Sequence, residues 1–290
     1  MTTPTTSTLE VPSAVLTYDV RRSEASGEPV LLLIGSPMGA SGFGTLASHF
    51  PDRTVVTYDP RGVERSRLTD GAAESTPDEH ADDLSHLITE VGGGRADVFA
   101  SSGGAVNALA LVAKHPAQVR TLVAHEPPAA LVLPDREQVL AVIRDIHETY
   151  QRSGLGPGMA KFIAFVSFAG EVPDDYTDRP APDPAMFGLP TEDDGSRNDA
   201  LLGQNLISCA HYRLDFEALR GARTNIVLAA GAESTGTMAN RGALAVAERL
   251  GTSAVIFPSG HGGFLGGEYG QRGEPEAFAA KLREVLEGAG

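Results

Sequence analysis

The chain has no tryptophan and one cysteine, Cys209, among its 290 residues. A single thiol permits neither an internal disulfide nor a cysteine-built zinc site, and it suits a reducing compartment. Basic residues are also scarce, with 23 Lys and Arg against 38 Asp and Glu and a formal net charge of -15. Such a surface repels polyanions, which argues against nucleic acid and against anionic membrane surfaces as partners. No apolar run approaches the ~20 residues that span a bilayer, and the opening "MTTPTTSTLE" has neither the basic n-region nor the apolar h-region of a secretory signal. The expectation is a cytoplasmic protein acting on a small molecule, with a homodimer left open and the polar, Thr-rich first residues frayed.

What is present is enough apolar sequence, 41% of residues, for one large core. Short apolar runs recur as "PVLLLIG" (29–35), "RTVVTYD" (53–59), "ADVFA" (96–100), "RTLVAHE" (120–126), "TNIVLAAG" (224–231) and "SAVIFPSG" (253–260). Their length and continuity predict strands buried on both faces, preceded by a half-exposed strand in "AVLTYDV" (14–20). Helices lie between several of them. Thr76-Pro77-Asp78-Glu79 combines an N-cap, a proline for the first helical position and a glutamate placed for a capping box. Ala81, Leu84, Leu87, Ile88 and Val91 then follow at helical spacing, and Gly92-Gly93-Gly94 ends the run. Strand and helix in alternation predict an α/β fold: a mostly parallel central sheet with helices on both faces.

The alternation stops after Glu126. From Leu131 to Leu219 come an amphipathic helix near Asp135–Arg152, the apolar stretch "MAKFIAFVSFAG", an unpatterned Pro- and Asp-rich passage read as a loop, and a last helical piece, "ALLGQNLISCAHYRLD". This reads as a helical lid, residues 131–219, inserted into a core made of residues 1–130 and 220–290.

The chemistry is expected where the strand residues of "VFASSGGAVNALAL" (98–111) run through small residues into a helix. A nucleophilic serine on a tight strand-to-helix turn needs small residues two positions to either side, and Ala100-Ser101-Ser102-Gly103-Gly104 provides them around Ser102. Gly103 would then offer its backbone N–H to an oxyanion. A turn that only lets helix and strand pack closely is the competing reading. An activated serine needs a base, and "FPSGHGGF" sets His261 in a glycine-rich loop just after the last strand. His80, Asp83 and His86 are expected to be solvated, Asp59 and Arg61 to form a local ion pair in their loop, and no metal is expected.

These segments, with "LLLIGSPMGASGF", "TYDPRGVERSR" and "VRTLVAHEPPA", resemble the α/β-hydrolase fold family over most of the chain, closest to bacterial esterase-like or non-haem-haloperoxidase-like members with a helical lid. The resemblance implies acyl chemistry without metal or cofactor, in the chain order Ser102, acid, His261. Two positions depart from the pattern. Gly35-Ser36 replaces the usual histidine-glycine of the oxyanion turn, and Pro37 has no N–H. The second oxyanion donor is then the Met38 backbone, with the Ser36 hydroxyl as the alternative. Ser234 stands where many relatives carry the acid, leaving Glu233 as first choice and Glu126 as its competitor. The expected activity is hydrolysis of a small or medium neutral or cationic ester, lactone or thioester. Phe162, Phe165, Phe168, Met186 and Phe187 either line an apolar pocket or form the lid's own core. A non-hydrolytic acyltransferase, lyase or cyclase, a perhydrolase, and a silent ligand-binding member are the rival readings.

Overall fold

The computed structural model describes residues 3–24, 27–71 and 75–288. Among the described residues, the Thr-rich start forms not a frayed end but an antiparallel hairpin, β1 (Thr5–Val11) and β2 (Ala14–Arg21), in register from Thr5↔Val20 to Val11↔Ala14. Threonine is polar but β-branched, and an edge strand exposed on one side accepts such residues. β2 then pairs antiparallel with β4 (Val55–Asp59), which lies beside β3 (Val30–Ile34), and with the short β5 (Arg67–Leu68). The other strands are β6 (Ala96–Ser101), β7 (Val119–His125), β8 (Asn225–Gly231) and β9 (Val255–Phe257). The order across the sheet is β1-β2-β4-β3-β6-β7-β8-β9, and every pairing from β4 to β9 is parallel. All seven strands expected from the apolar runs are present.

Helices cover both faces. They are α1 (Gly44–Ser48), α2 (Pro77–Gly92), α3 (Gly103–Lys114), α4 (Arg136–Ser153), α5 (Leu155–Val166), α6 (Leu206–Ala210), α7 (Phe216–Gly221), α8 (Met238–Leu250) and α9 (Pro275–Glu287). The two-residue period of a strand sends Leu32, Ile34, Val98, Leu122 and Leu228 to one face, against α2, α3 and α8. Leu31, Leu33, Phe99, Val123 and Ala229 face the other way, against α1 and α9. The α2 capping box forms as the sequence predicts, with Thr76 and Glu79 each bonding the other's backbone and Gly93 in the left-handed region closing the helix.

Between β7 and β8 lie α4 to α7. Val139, Ile143, Ile146, Tyr150, Phe165 and Leu202 pack there into an apolar cluster of their own. Leu219 of α7 instead joins the cluster on the sheet. Asp135 anchors the start of this region: it pairs with Arg241 of α8, whose guanidinium also donates to the Gly170 carbonyl at 2.7 Å. The passage from Glu171 to Asp199 is mostly loop, broken by short 3-10 turns at Tyr176–Asp178 and Pro184–Phe187.

Three expectations are corrected. Arg61 does not pair with Asp59 but forks onto Asp83 at 2.7 and 2.8 Å, with Glu79 at 3.1 Å. Asp59 instead accepts from the Ala40 backbone and from Arg65. His80 and Asp83 are buried, not solvated, because they face the sheet side of α2, where the guanidinium compensates the carboxylate. Among the described residues no helix is long and apolar enough to cross a membrane.

Candidate active site

Parallel pairing brings the carboxyl ends of four neighbouring strands together. Ile34 pairs with Ala100, Ser101 with His125, and His125 with Ala229. The next residue along each of β3, β6 and β7 therefore emerges at one rim: Gly35, Ser102 and Glu126. Open α/β sheets place their ligands at this end.

Ser102 sits there with φ 57° and ψ -129°, a conformation that L side chains rarely adopt. Its N–H donates to the His125 carbonyl at 3.0 Å and its own carbonyl accepts from Ala105, so the turn is held from both sides. The small residues around it are sterically required. A β-carbon at Gly104 would lie 2.8 Å from the Ile34 carbonyl oxygen, and one at Gly103 would lie 2.6 Å from that of Ser36. α3 consequently begins at Gly103, packed against Ser36. Among the described residues, neither the Gly103 nor the Met38 N–H donates to a protein acceptor.

Glu126 also has positive φ, 48°, and its N–H is held by the Ala229 carbonyl at 2.9 Å. Its carboxylate is fully buried and held by hydrogen bonds on both oxygens. Oε1 accepts from the Gly231 N–H at 2.9 Å, from the Ser234 hydroxyl in a short bond, and from Asn240 at 3.4 Å. Oε2 lies 2.6 Å from His261 Nδ1. Burial works to raise the Glu126 pKa, but the His261 hydrogen bond, the positive charges of the His125 and His261 rings when protonated, and the Ser234 bond together outweigh it and hold it at about 2. Glu233, the first choice from sequence, is elsewhere: it is exposed, and Oε2 accepts from Ser259 at 3.1 Å. The contact with the imidazole thus belongs to the competing candidate, because β7 ends one strand nearer to Ser102 than β8 does.

Behind this pair lies His125, fully buried among Phe99, Phe257, Phe264 and Phe278, with Nδ1 on the Ser101 hydroxyl at 3.1 Å. Ligand atoms of His125, Glu126 and His261 fall within 4.8 Å of one another, a spacing that a metal ion could bridge. Burial pushes the His125 imidazole down to about 4, and burial with the nearby Arg61 charge does the same to His80. Each is neutral when folded and binds its proton more tightly when unfolded. Stability is therefore full above the ordinary value of 6.5 and falls as the pH drops towards 4, by about 3 kcal/mol per histidine. The Glu126 contribution occupies a lower window, present above 4.5 and lost towards 2. Thermal melts should show Tm falling steeply between pH 6.5 and 4.5, and His125→Gln should make the fall shallower. A flat Tm over that range would contradict neutral burial.

The remaining candidates are dispersed. Phe165 is buried in the α4–α7 cluster, with Phe162 and Phe168 packed beside it. Met186 is 80% exposed and Phe187 39%, so these two lie on the surface. Ser36 is buried, and its hydroxyl accepts from Asn205 Nδ2 at 2.6 Å. Sequence reasoning missed Asn205, Asn240 and the Ser234 contact. A signal for Glu126 was available, since it directly follows a buried strand and precedes Pro127-Pro128 at the strand-end rim.

The chain belongs to the alpha/beta hydrolase fold family, whose model matches residues 28–267. Its relatives include an uncharacterized hydrolase, YraK, of Bacillus subtilis (strain 168), 30% identical over 97% of this chain and 95% of that protein. Among solved structures, a thermophilic esterase from Thermogutta terrifontis superposes with a TM-score of 0.67 at 19% identity, covering 99% of both chains. The enol-lactonase from Burkholderia xenovorans LB400 gives 0.67 at 16% identity, covering 97% of this chain and all of that one (100%).

Proposed function

We propose that the protein is a serine hydrolase that cleaves a small or medium neutral or cationic ester, lactone or thioester through an acyl-enzyme. The observation that carries the reading is the 2.6 Å contact between His261 Nδ1 and the buried Glu126 carboxylate, at the rim from which the strained Ser102 emerges. An ionised carboxylate only accepts, so it fixes the proton of the neutral imidazole on Nδ1 and leaves Nε2 as the base. In this mechanism Ser102 Oγ attacks the carbonyl carbon and its proton passes to His261 Nε2. Glu126 stabilises the imidazolium, and the Gly103 and Met38 N–H groups, both without acceptors among the described residues, stabilise the oxyanion. His261 returns the proton to the leaving group, then deprotonates the water that hydrolyses the acyl-enzyme. Family membership and a relative named as a hydrolase support the class.

The His125, Glu126 and His261 group is read as part of this assembly and not as a metal centre. Both Glu126 oxygens already accept hydrogen bonds, and the His125 ring is enclosed by phenylalanines. The 131–219 region is assigned as the lid. Phe162 and Phe168 are its candidates for substrate contact, because both remain part-exposed while Phe165 is buried.

Intact mass after exposure to a fluorophosphonate tests the reading. A single adduct on the wild type, absent from Ser102→Ala, is the expected result. A folded wild type that stays unmodified and turns over no activated ester would overturn it in favour of a ligand-binding protein.

A further inference from the structure

The stretch of the lid region that reaches the oxyanion turn is not α-helical. Leu201–Asn205 form a π-helical turn that runs directly into α6. Such turns concentrate at functional sites, because the extra residue re-aims a side chain. Here the turn brings Asn205, 8% exposed, onto Ser36, 4% exposed, with Nδ2 donating to Oγ at 2.6 Å. The same amide lies over the other wall of the hole, since a β-carbon on Gly103 would be 2.7 Å from Asn205 Oδ1. One side chain from the lid region therefore touches both the oxyanion turn and the residue after Ser102.

The amide orientation follows from its second neighbour. The Cys209 thiol is buried, 3.6 Å from Oδ1 and 3.9 Å from the Gly103 carbonyl, with its pKa pushed up to about 12, so it stays protonated and presents a donor whose nearer acceptor is Oδ1. Oxygen therefore faces Cys209 and nitrogen faces Ser36. Ser36 Oγ is left as an acceptor from Asn205, and among the described residues nothing accepts its own proton. A hydroxyl whose oxygen already accepts a hydrogen bond is the stronger donor for it.

We propose that Asn205 is a positioning residue of the oxyanion hole, holding the Ser36 hydroxyl as a third donor to the developing alkoxide. The inference rests on the serine-hydrolase reading. It makes the hole complete only when this turn of the lid region is seated on the core.

The test is steady-state turnover of p-nitrophenyl acetate by the wild type, Asn205→Ala, Asn205→Asp, Ser36→Ala and the Asn205→Ala/Ser36→Ala double variant, with Tm for each. Losing a donor to an oxyanion should lower kcat by roughly 10- to 100-fold in Asn205→Ala and in Ser36→Ala, with KM within about threefold. The double variant should be no slower than the slower single, because both act through one hydroxyl. Asn205→Asp, although nearly isosteric, should be slower than Asn205→Ala, since a carboxylate accepts the Ser36 proton and withdraws it from the hole. Losses that multiply in the double variant would overturn the proposal. So would a rise in KM alone, or a kcat within about twofold of wild type in a folded Asn205→Ala. Should that variant not fold, the order of Asn205→Asp and Ser36→Ala carries the test. A wild type without Ser102-dependent turnover would remove the hydrolase reading and this inference together, whereas an active wild type with a flat Asn205 series would remove only the inference.

Discussion

Ser102→Ala and His261→Ala are each expected to lower kcat by about 10⁶-fold on any ester the wild type turns over, and the double variant by no more than either alone. The lack of additivity follows from the division of labour. The alcohol is a poor nucleophile without a base, and the base has nothing to activate without the alcohol. The backbone groups of the hole survive both changes, because the N–H of Gly103 is fixed by its contact with the oxyanion turn and not by the serine side chain. Residual turnover some 10³- to 10⁴-fold above water should therefore persist in all three variants. Single-turnover assays at high enzyme concentration read this directly. A Ser102→Ala variant that keeps a tenth of the activity would transfer the nucleophile elsewhere.

Glu126→Gln should cost about 10⁴-fold in kcat, while Glu233→Gln should stay within about threefold of wild type. Oε1 of Glu126 faces the Gly231 N–H and the Ser234 hydroxyl, both donors. A glutamine must turn its oxygen towards them, which points its NH₂ group at His261 Nδ1. The imidazole then carries its proton on Nε2, the wrong nitrogen for accepting one from Ser102. Glu233 has no such hold on the ring; its carboxylate serves the Ser259 hydroxyl on the surface. Measuring both variants on one substrate separates the two carboxylates, and the reverse ranking would return the acid to Glu233.

The parts of this molecule that could be read in the sequence are those dictated by short-range sterics and periodicity. The elbow is legible because a strained serine tolerates only small neighbours, and α2 because its capping residues and apolar spacing lie within one segment. β1 was missed because threonines read as polar, and their pairing with β2 depends on a turn at Ser13 with φ 66°. The carboxylate that contacts His261 ranked second from sequence for a related reason. Counting from the end of a strand gives the position of Glu233, but which carboxylate meets Nδ1 depends on the ordering of β7 beside β6 and on the positive φ of Glu126. Arg61 likewise found its partner 22 residues away on α2, a pairing that spacing within the loop does not reveal. Asn205 carried no local signal, since a π-helical turn changes the direction of a side chain without changing the composition around it.

The position of the Glu126 carboxylate also divides the work between two strand ends. The ends of β7 and β8 lie side by side, so groups leaving both strands converge on one carboxylate. Here Glu126 holds the ring, and Ser234, on the turn after β8, donates to it. The segment that follows β8 is thus relieved of supplying the charge and need only supply a donor.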